Sequence, residues 1–551
     1  MNFKSLATLM MLFAACMVYA QDAPPKDWPQ MDPTQDHYPG MSTEKTYKDL
    51  LKGRQSQTVI VAVIDGGVDA EHEDLADIMW VNEGEIPGNG IDDDHNGYID
   101  DIHGWNFLGN AKGEDVNYEN LEMTRLYKTY KKKFEGRDVS SLSKEEKEQY
   151  DQYEEYGKII ENKKKELGPK VDYFSRGYEV FTALAAAIGK DPEDIGIDDL
   201  KNFKSKDGTL DRIAGAVAED LSKGATFFEL YDYFNEGYNY YNAQLNYQYN
   251  PDFEARQLIG DDPNNYADHN YGNNDVEGPD ALHGTHVAGI IGAIRNNGIG
   301  MDGVADNVRI MAIRTVPNGD ERDKDVANAI RYAVDNGAQV INMSFGKGSS
   351  PGKEAVDAAV KYAMKHDVVM VHGAGNDNEL LTYTNNFPND KFAKKGLFAP
   401  KYAKNWIEVG AVSFTDDENL VAEFSNYSPT LVDVMAPGVE IYSTVPDNKY
   451  KNEQGTSMAS PEVAGLAALL RSYFPTLTAP QIKEVIMGSV VRHEGKVIKP
   501  GTEELVNLKD LCVTGGMVNT YRAVTMAMQM KGKKKWAKSD KTEKAEVRAI
   551  P

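Results

Sequence analysis

Two kinds of hydrophobic pattern divide the chain. The first is a set of short, unbroken apolar runs, of which Val59 to Asp65 (V-I-V-A-V-I-D) is the clearest. A β-branched run without polar alternation marks a strand buried on both faces. Val308 to Ile313, Gln339 to Met343, Val368 to Val371 and Ile407 to Val412 repeat it, with amphipathic stretches at Asp325 to Asn336 and Ala355 to Lys365 between them. Strands alternating with helices of this length build βαβ units. The expected fold is therefore α/β, a doubly wound parallel sheet with polar residues delivered at the carboxyl ends of its strands, where ligands bind in such sheets.

The second pattern is helical and runs from 118 to 260. Met123, Leu126, Tyr127, Tyr130 and Phe134 fall on one helical face. Ser143 and Glu146 form a capping box ahead of a long charged helix that is predicted to stop at Gly168-Pro169. Phe174, Tyr178, Phe181 and Ile188 mark a further helix. With no buried β-run, the segment reads as an all-helical subdomain inserted into the α/β core. It ends in a tyrosine-rich stretch: Tyr231, Tyr233, Tyr238, Tyr240, Tyr241, Tyr247 and Tyr249. The expected role of these rings is to pack the insertion onto the core; the alternative is an aromatic recognition surface.

The ends carry other signals. Lys4 and the apolar run Leu6 to Ala20 read as a signal peptide over 1–20, cut after Val18-Tyr19-Ala20, and too short to span a bilayer. Phe13-Ala14-Ala15-Cys16 is a competing lipoprotein reading, anchored through Cys16. Either way the protein is expected to be exported, to the periplasm, the cell surface or the medium. Residues 21–56 form a lead-in, with a short helix from Ser42 through Leu51 that stops at Gly53. The α/β core is expected in two parts, 57–117 and 261–527, followed by a charged tail over 528–551 that reads as mobile.

Composition narrows the partners. The formal charge of −26 and pI near 4.9 argue against nucleic acid, which needs clustered Lys and Arg. Of the two cysteines, Cys16 falls in the leader, so no disulfide is expected after cleavage. Cys512 sits in an apolar stretch and reads as a buried hydrophobe.

Three segments carry candidate chemistry: V-I-D-G-G-V-D around Asp65, H-G-T-H-V-A-G from His283, and G-T-S-M-A-S-P from Gly455. A serine hydroxyl is a weak nucleophile until an imidazole removes its proton, and a buried carboxylate holds that imidazole in one tautomer. Ser457 opens a strongly apolar helix and gains from the positive end of its dipole. Asn376, at the end of the strand V-V-M-V-H-G-A-G-N, is placed to donate to an oxyanion beside the Ser457 N–H. An α/β-hydrolase is excluded because its serine lies in G-x-S-x-G and its triad runs in another order. A zinc site on His283 and His286 lacks a third ligand and the Glu of H-E-x-x-H. A second alternative is a non-catalytic binding or adhesion module that uses the tyrosine-rich insertion.

These segments resemble the subtilisin-like serine proteases over roughly residues 57–108 and 275–525. The resemblance implies a serine endopeptidase acting on proteins or peptides, with catalytic Asp65, His283 and Ser457 and the oxyanion donor Asn376. It also implies that N-M-S-F-G, including Ser344, Phe345 and Gly346, is the strand along which substrate backbone pairs. The resemblance further implies that His372 to Gly375, including Gly373, Ala374 and Gly375, wall the specificity pocket together with that strand. The 218 positions between Asp65 and His283 exceed the family's usual few tens, and the insertion accounts for the excess. The lead-in is shorter than the family's usual prodomain, which makes the insertion a candidate restraint on activity.

The segment Gly88 to Asp101 is densely acidic. Asp92, Asp94, Asn96, Tyr98 (through its carbonyl) and Asp100 match calcium-loop positions one, three, five, seven and nine, while the Glu of position twelve is absent. It resembles calcium loops of some subtilisin-like enzymes, so structural calcium is expected and no cofactor is required for the chemistry.

Overall fold

The computed structural model describes residues 23–205, 208–393 and 400–534. The leader with Cys16, and the tail from 535 onward, lie outside the described residues. Thirteen strands are described: β1 Val59–Asp65, β2 Gly104–Asn106, β3 Val308–Arg314, β4 Val340–Met343, β5 Val369–Gly373, β6 Trp406–Val412, β7 Val434–Pro437, β8 Ile441–Val445, β9 Lys449–Glu453, β10 Val491–Arg492, β11 Lys496–Ile498, β12 Leu505–Asn507 and β13 Gly516–Met517. Nine form one sheet in the order β10-β13-β7-β6-β5-β4-β1-β3-β2. All its pairs are parallel except β10 with β13. β8 with β9 and β11 with β12 are separate antiparallel hairpins.

The unbroken apolar runs are explained by helices on both faces. Val61 and Val63 point to one side, where Val287, Ile290, Val463 and Leu466 pack against them. Ala62 and Ile64 point to the other, against Ile330, Ala359 and Val360. Each such Val, Ile or Leu contributes about 1.5–3 kcal/mol by leaving water. The strand order reverses at β1, whose neighbours are β3 on one side and β4 on the other. The carboxyl ends of β1, β4 and β5 therefore face a common crevice.

The insertion carries the α-helices Glu122–Phe134, Lys144–Ile188, Ile197–Asn202, Thr209–Leu221 and Phe227–Ala243 and no named strand among its described residues. It has its own core of Phe181, Leu184, Ala214, Val217, Phe227, Leu230 and Phe234. The expected stop at Gly168-Pro169 is corrected: one helix of 45 residues runs through Pro169. A proline inside a helix costs about 3 kcal/mol. Here the capping box of Ser143 with Glu146, the left-handed Gly189 at the far end and burial of Leu167 and Phe181 offset that cost. Packing sustains long helices more than propensity does. The tyrosines mostly bind the insertion to itself: Tyr231 and Tyr238 pack on Tyr178, and Tyr233 and Tyr241 on Phe174. Tyr247, stacked on Tyr118 at 4.1 Å, lies where the insertion joins the core.

Candidate active site

Asp65 is the last residue of β1 and is buried, with Oδ1 accepting from Gly66 N at 2.7 Å and His283 Nδ1 at 2.8 Å. His283 sits in the first turn of the helix Leu282–Gly292. The glycine of H-G-T-H is required by this approach, because a Cβ on Gly284 would lie 2.1 Å from the Gly67 carbonyl oxygen and 3.1 Å from Asp65 Cβ. Burial pulls the His283 pKa down, but the charge and hydrogen bond of Asp65 more than offset it, so the net shift is upward. The second histidine does other work. His286 Nε2 lies 3.0 Å from Ile441 O and 3.1 Å from Lys451 O, fastening the β8–β9 hairpin, and burial lowers it to about 4.

Ser457 lies in the first turn of the helix Thr456–Tyr473. Gly455 enters it at φ 150, outside the range comfortable for a side chain. Pro461, inside the same helix, has no N–H to bond the Ser457 carbonyl four residues back. Ser344 fills that gap: its hydroxyl donates to Ser457 O at 2.9 Å, and Ser457 Oγ donates to Ser344 O at 3.2 Å. Asn342 Nδ2 donates to Ser344 Oγ, and Ser460 Oγ donates to Asn342 Oδ1. This reciprocal tie joins N-M-S-F-G to G-T-S-M-A-S-P. Among the described residues, the Ser457 hydroxyl bonds Ser344 and not His283.

Asn376 follows β5 and is open to solvent. Its Oδ1 accepts from Thr456 N at 2.9 Å and Thr456 Oγ1 at 3.0 Å. The amide Nδ2 is thereby turned outward beside Gly455. The Ser457 N–H is in the first helical turn and has no intrahelical acceptor. A Cβ on Gly455 would lie 3.3 Å from Asn376 Nδ2 and 3.5 Å from Ser457 N, so both donors flank the same point at the helix start.

A cleft of about 690 Å³ opens over Ser457 and Asn376, with Ser344, Phe345, Gly346, Gly373 and Gly375 along its walls. Ala374 is placed differently: its methyl is buried with Val412, Tyr427 and Met435, and its carbonyl accepts from Asn426 Nδ2 at 3.0 Å. Asp65 and His283 line a smaller adjoining cleft of about 220 Å³, which meets the first at Ser344. Leu121, Glu122, Met123 and Tyr156 of the insertion also line the large cleft. Lys347, buried one residue beyond Gly346, is the anchor: its Nζ meets Glu122 at 2.8 Å, Asp323 at 3.1 Å and the Glu321 carbonyl at 2.8 Å. Arg125 extends the contact to Glu122 and to the Asp320 carbonyl. No hydrophobic pattern announced this contact; the lone signal was a lysine directly after the candidate substrate strand.

The acidic loop is folded around its own carboxylates. Asp92 and Asp94 gather with Glu85, one oxygen from each lying within 4.8 Å of the others. Three carboxylate oxygens that close together can all reach one hard cation at oxygen distances of about 2.4 Å. Asp100 is turned away, accepting from Asn89 N and Gly90 N. Asn96 bridges to Asp94 and Asp101 through Nδ2. Tyr98 anchors the loop with a buried ring against Trp105, Phe107 and Tyr332. Glu85 was missed because it lies seven residues before Asp92, outside the loop's repeat.

The model of the subtilase family matches residues 56–514. A thermophilic serine proteinase of Bacillus sp. (strain AK1) is 43% identical over 223 residues, 40% of this chain and 49% of that protein. Thermitase of Thermoactinomyces vulgaris is 40% identical over 191 residues, 34% of this chain and 61% of thermitase. Subtilisin DY of Bacillus licheniformis is 41% identical over 204 residues, covering 36% and 67%. The matched stretches thus span about half to two thirds of these relatives.

Proposed function

The chain belongs to the subtilase family, and from that membership we propose that it is an exported serine endopeptidase with Ser457 as nucleophile. A substrate strand pairs along Ser344, Phe345 and Gly346, opposite Gly373 to Gly375. Ser457 Oγ turns from Ser344 O, a rotation about one staggered bond, and attacks the scissile carbonyl. His283 Nε2 takes the hydroxyl proton and passes it to the leaving amine, while Asp65 keeps Nδ1 protonated and balances the imidazolium. Asn376 Nδ2 and the Ser457 N–H hold the oxyanion. Water, deprotonated by His283, then releases the acyl group from Ser457.

The observation that carries this proposal is the 2.8 Å bond between His283 Nδ1 and Asp65 Oδ1, made across 218 residues of sequence. Hydrolysis of denatured casein, with and without a fluorophosphonate, tests it. Casein is expected to be cut and the cutting to stop with the inhibitor; an intact substrate would leave a binding module, and loss of cutting only with a chelator would mean a metalloenzyme.

We further propose that calcium holds the 85–101 loop through Glu85, Asp92 and Asp94, where the bound ion offsets their mutual repulsion. Export rests on the leader; among the described residues no helix is long and apolar enough to cross a membrane.

A further inference from the structure

Inside the cleft over Ser457, Gly346 and Asn386 face each other: a Cβ on Gly346 would lie 2.8 Å from Asn386 Oδ1. Asn386 is only 9% exposed, and its neighbours beneath the cleft dictate which way its amide points. Nδ2 donates to Glu408 Oε1 at 3.2 Å and to the Ala374 carbonyl at 3.4 Å. Both partners are acceptors, so the amide nitrogen must face them and the carbonyl oxygen must face the slot beside Gly346. Glu408 is buried and itself fixed, with Trp406 Nε1 donating to Oε2 at 2.8 Å and His372 Nδ1 lying 3.0 Å from Oε1. Among the described residues Asn386 Oδ1 accepts no hydrogen bond. The slot therefore ends in an unfilled acceptor, and the missing side chain at Gly346 leaves it open to substrate.

The uncompensated charges around the slot have one sign. Asp377 and Glu379 line the same cleft, and Asp377 Oδ2 lies 3.5 Å from where a Cβ on Gly375 would stand. Asn426 holds this turn, its Oδ1 accepting from the N–H groups of Asp377 and Glu379 at 3.1 and 2.9 Å. No lysine, arginine or histidine pairs with either carboxylate among the described residues. Lys347, which also lines the cleft, is already committed to Glu122 and Asp323. We propose that the slot takes a lysine or arginine side chain on the residue whose carbonyl Ser457 attacks. The inference rests on the serine endopeptidase reading above and supplies its substrate class, peptides cut after a basic residue. The aliphatic stem lies between Gly346 and the Gly373 to Gly375 wall. The cationic head donates to Asn386 Oδ1, while Asp377 and Glu379 balance its charge. A leucine or phenylalanine would strip water from the amide oxygen and return no hydrogen bond. A glutamate would meet two like charges.

The test uses the full chain and peptide p-nitroanilides that share one sequence and differ only in the residue before the scissile bond: arginine, lysine, leucine, phenylalanine or glutamate. The arginine or lysine peptide is expected to exceed the leucine and phenylalanine peptides in kcat/KM by at least about tenfold, with glutamate poorest. Asn386→Leu is expected to cut the arginine-to-leucine ratio by about tenfold. Because Asn386 also bonds Glu408, a second variant changes only exposed side chains, Asp377→Asn with Glu379→Gln. It is expected to lower the same ratio by about threefold, with the larger fall at low salt. A chain that takes the fluorophosphonate but cuts the leucine or phenylalanine peptide best, or whose ratio neither variant moves, would overturn the inference and leave the endopeptidase standing. A chain that cuts no peptide and takes no fluorophosphonate would overturn the endopeptidase reading, and the inference with it.

Discussion

Replacing Lys347 by methionine should unfasten the insertion from the substrate cleft, and its cost can be worked from Glu122. Burial alone would push the Glu122 carboxyl up, yet the charges of Arg125 and Lys347 hold it at about 2 instead of 4.5. Holding it there is worth about 3 kcal/mol at neutral pH. That stabilisation is fully present above pH 4.5 and is lost as pH falls toward 2. If Arg125 and Lys347 share it, Lys347 accounts for about half, roughly 1.5 kcal/mol. The lost contact with Asp323 at 3.1 Å brings the expected loss to about 3 kcal/mol, the lower end of the range for breaking a buried pair, because Arg125 still pairs with Glu122. The assay is urea unfolding in the Ser457→Ala chain, as a double-mutant cycle with Glu122→Gln. A coupling energy of about 1.5 kcal/mol is expected. Coupling below about 0.5 kcal/mol, or a Lys347→Met chain as stable as its parent, would refute the view that this pair holds the insertion in place.

Three further outcomes are expected. Because Asp65 raises the His283 pKa and the base must be neutral, kcat/KM should climb through an acid limb above 6.5. Asp65→Asn should move that limb lower and cut kcat by about 10⁴; an unmoved limb would assign it to another group. Asn376→Leu should lower kcat by about 10²–10³, the size established for subtilisin, with KM little changed, whereas a change in KM alone would make Asn376 a binding residue. A chelator should lower the Tm and added calcium restore it, and Asp94→Asn should remove the part of the response owed to the loop; calorimetry with and without that substitution checks it.

Much of this was readable from one dimension. The β1 run and its Asp65 could be placed because a strand buried on both faces tolerates almost nothing but Val, Ile and Ala. The segments around His283 and Ser457 stood out because close approaches at a helix start demand small neighbours, as the contact of Gly284 with Gly67 illustrates beside His283. What escaped depends on contacts between distant segments. The proline at 169 looks like a stop until the surrounding packing is known. Glu85 joins Asp92 and Asp94 only after the chain has folded back on itself. Ala374 lies between Gly373 and Gly375, which line the cleft, but its methyl is buried with Val412, Tyr427 and Met435. The Ser344–Ser457 tie needed Pro461 to free a carbonyl and a second segment to claim it.

Peptide mapping after treatment with a fluorophosphonate tests the assignment of the nucleophile most directly. A single adduct on Ser457 is expected, formed slowly or not at all once His283 is replaced by alanine. An adduct on any other serine, or none on a chain that still hydrolyses casein, would contradict it.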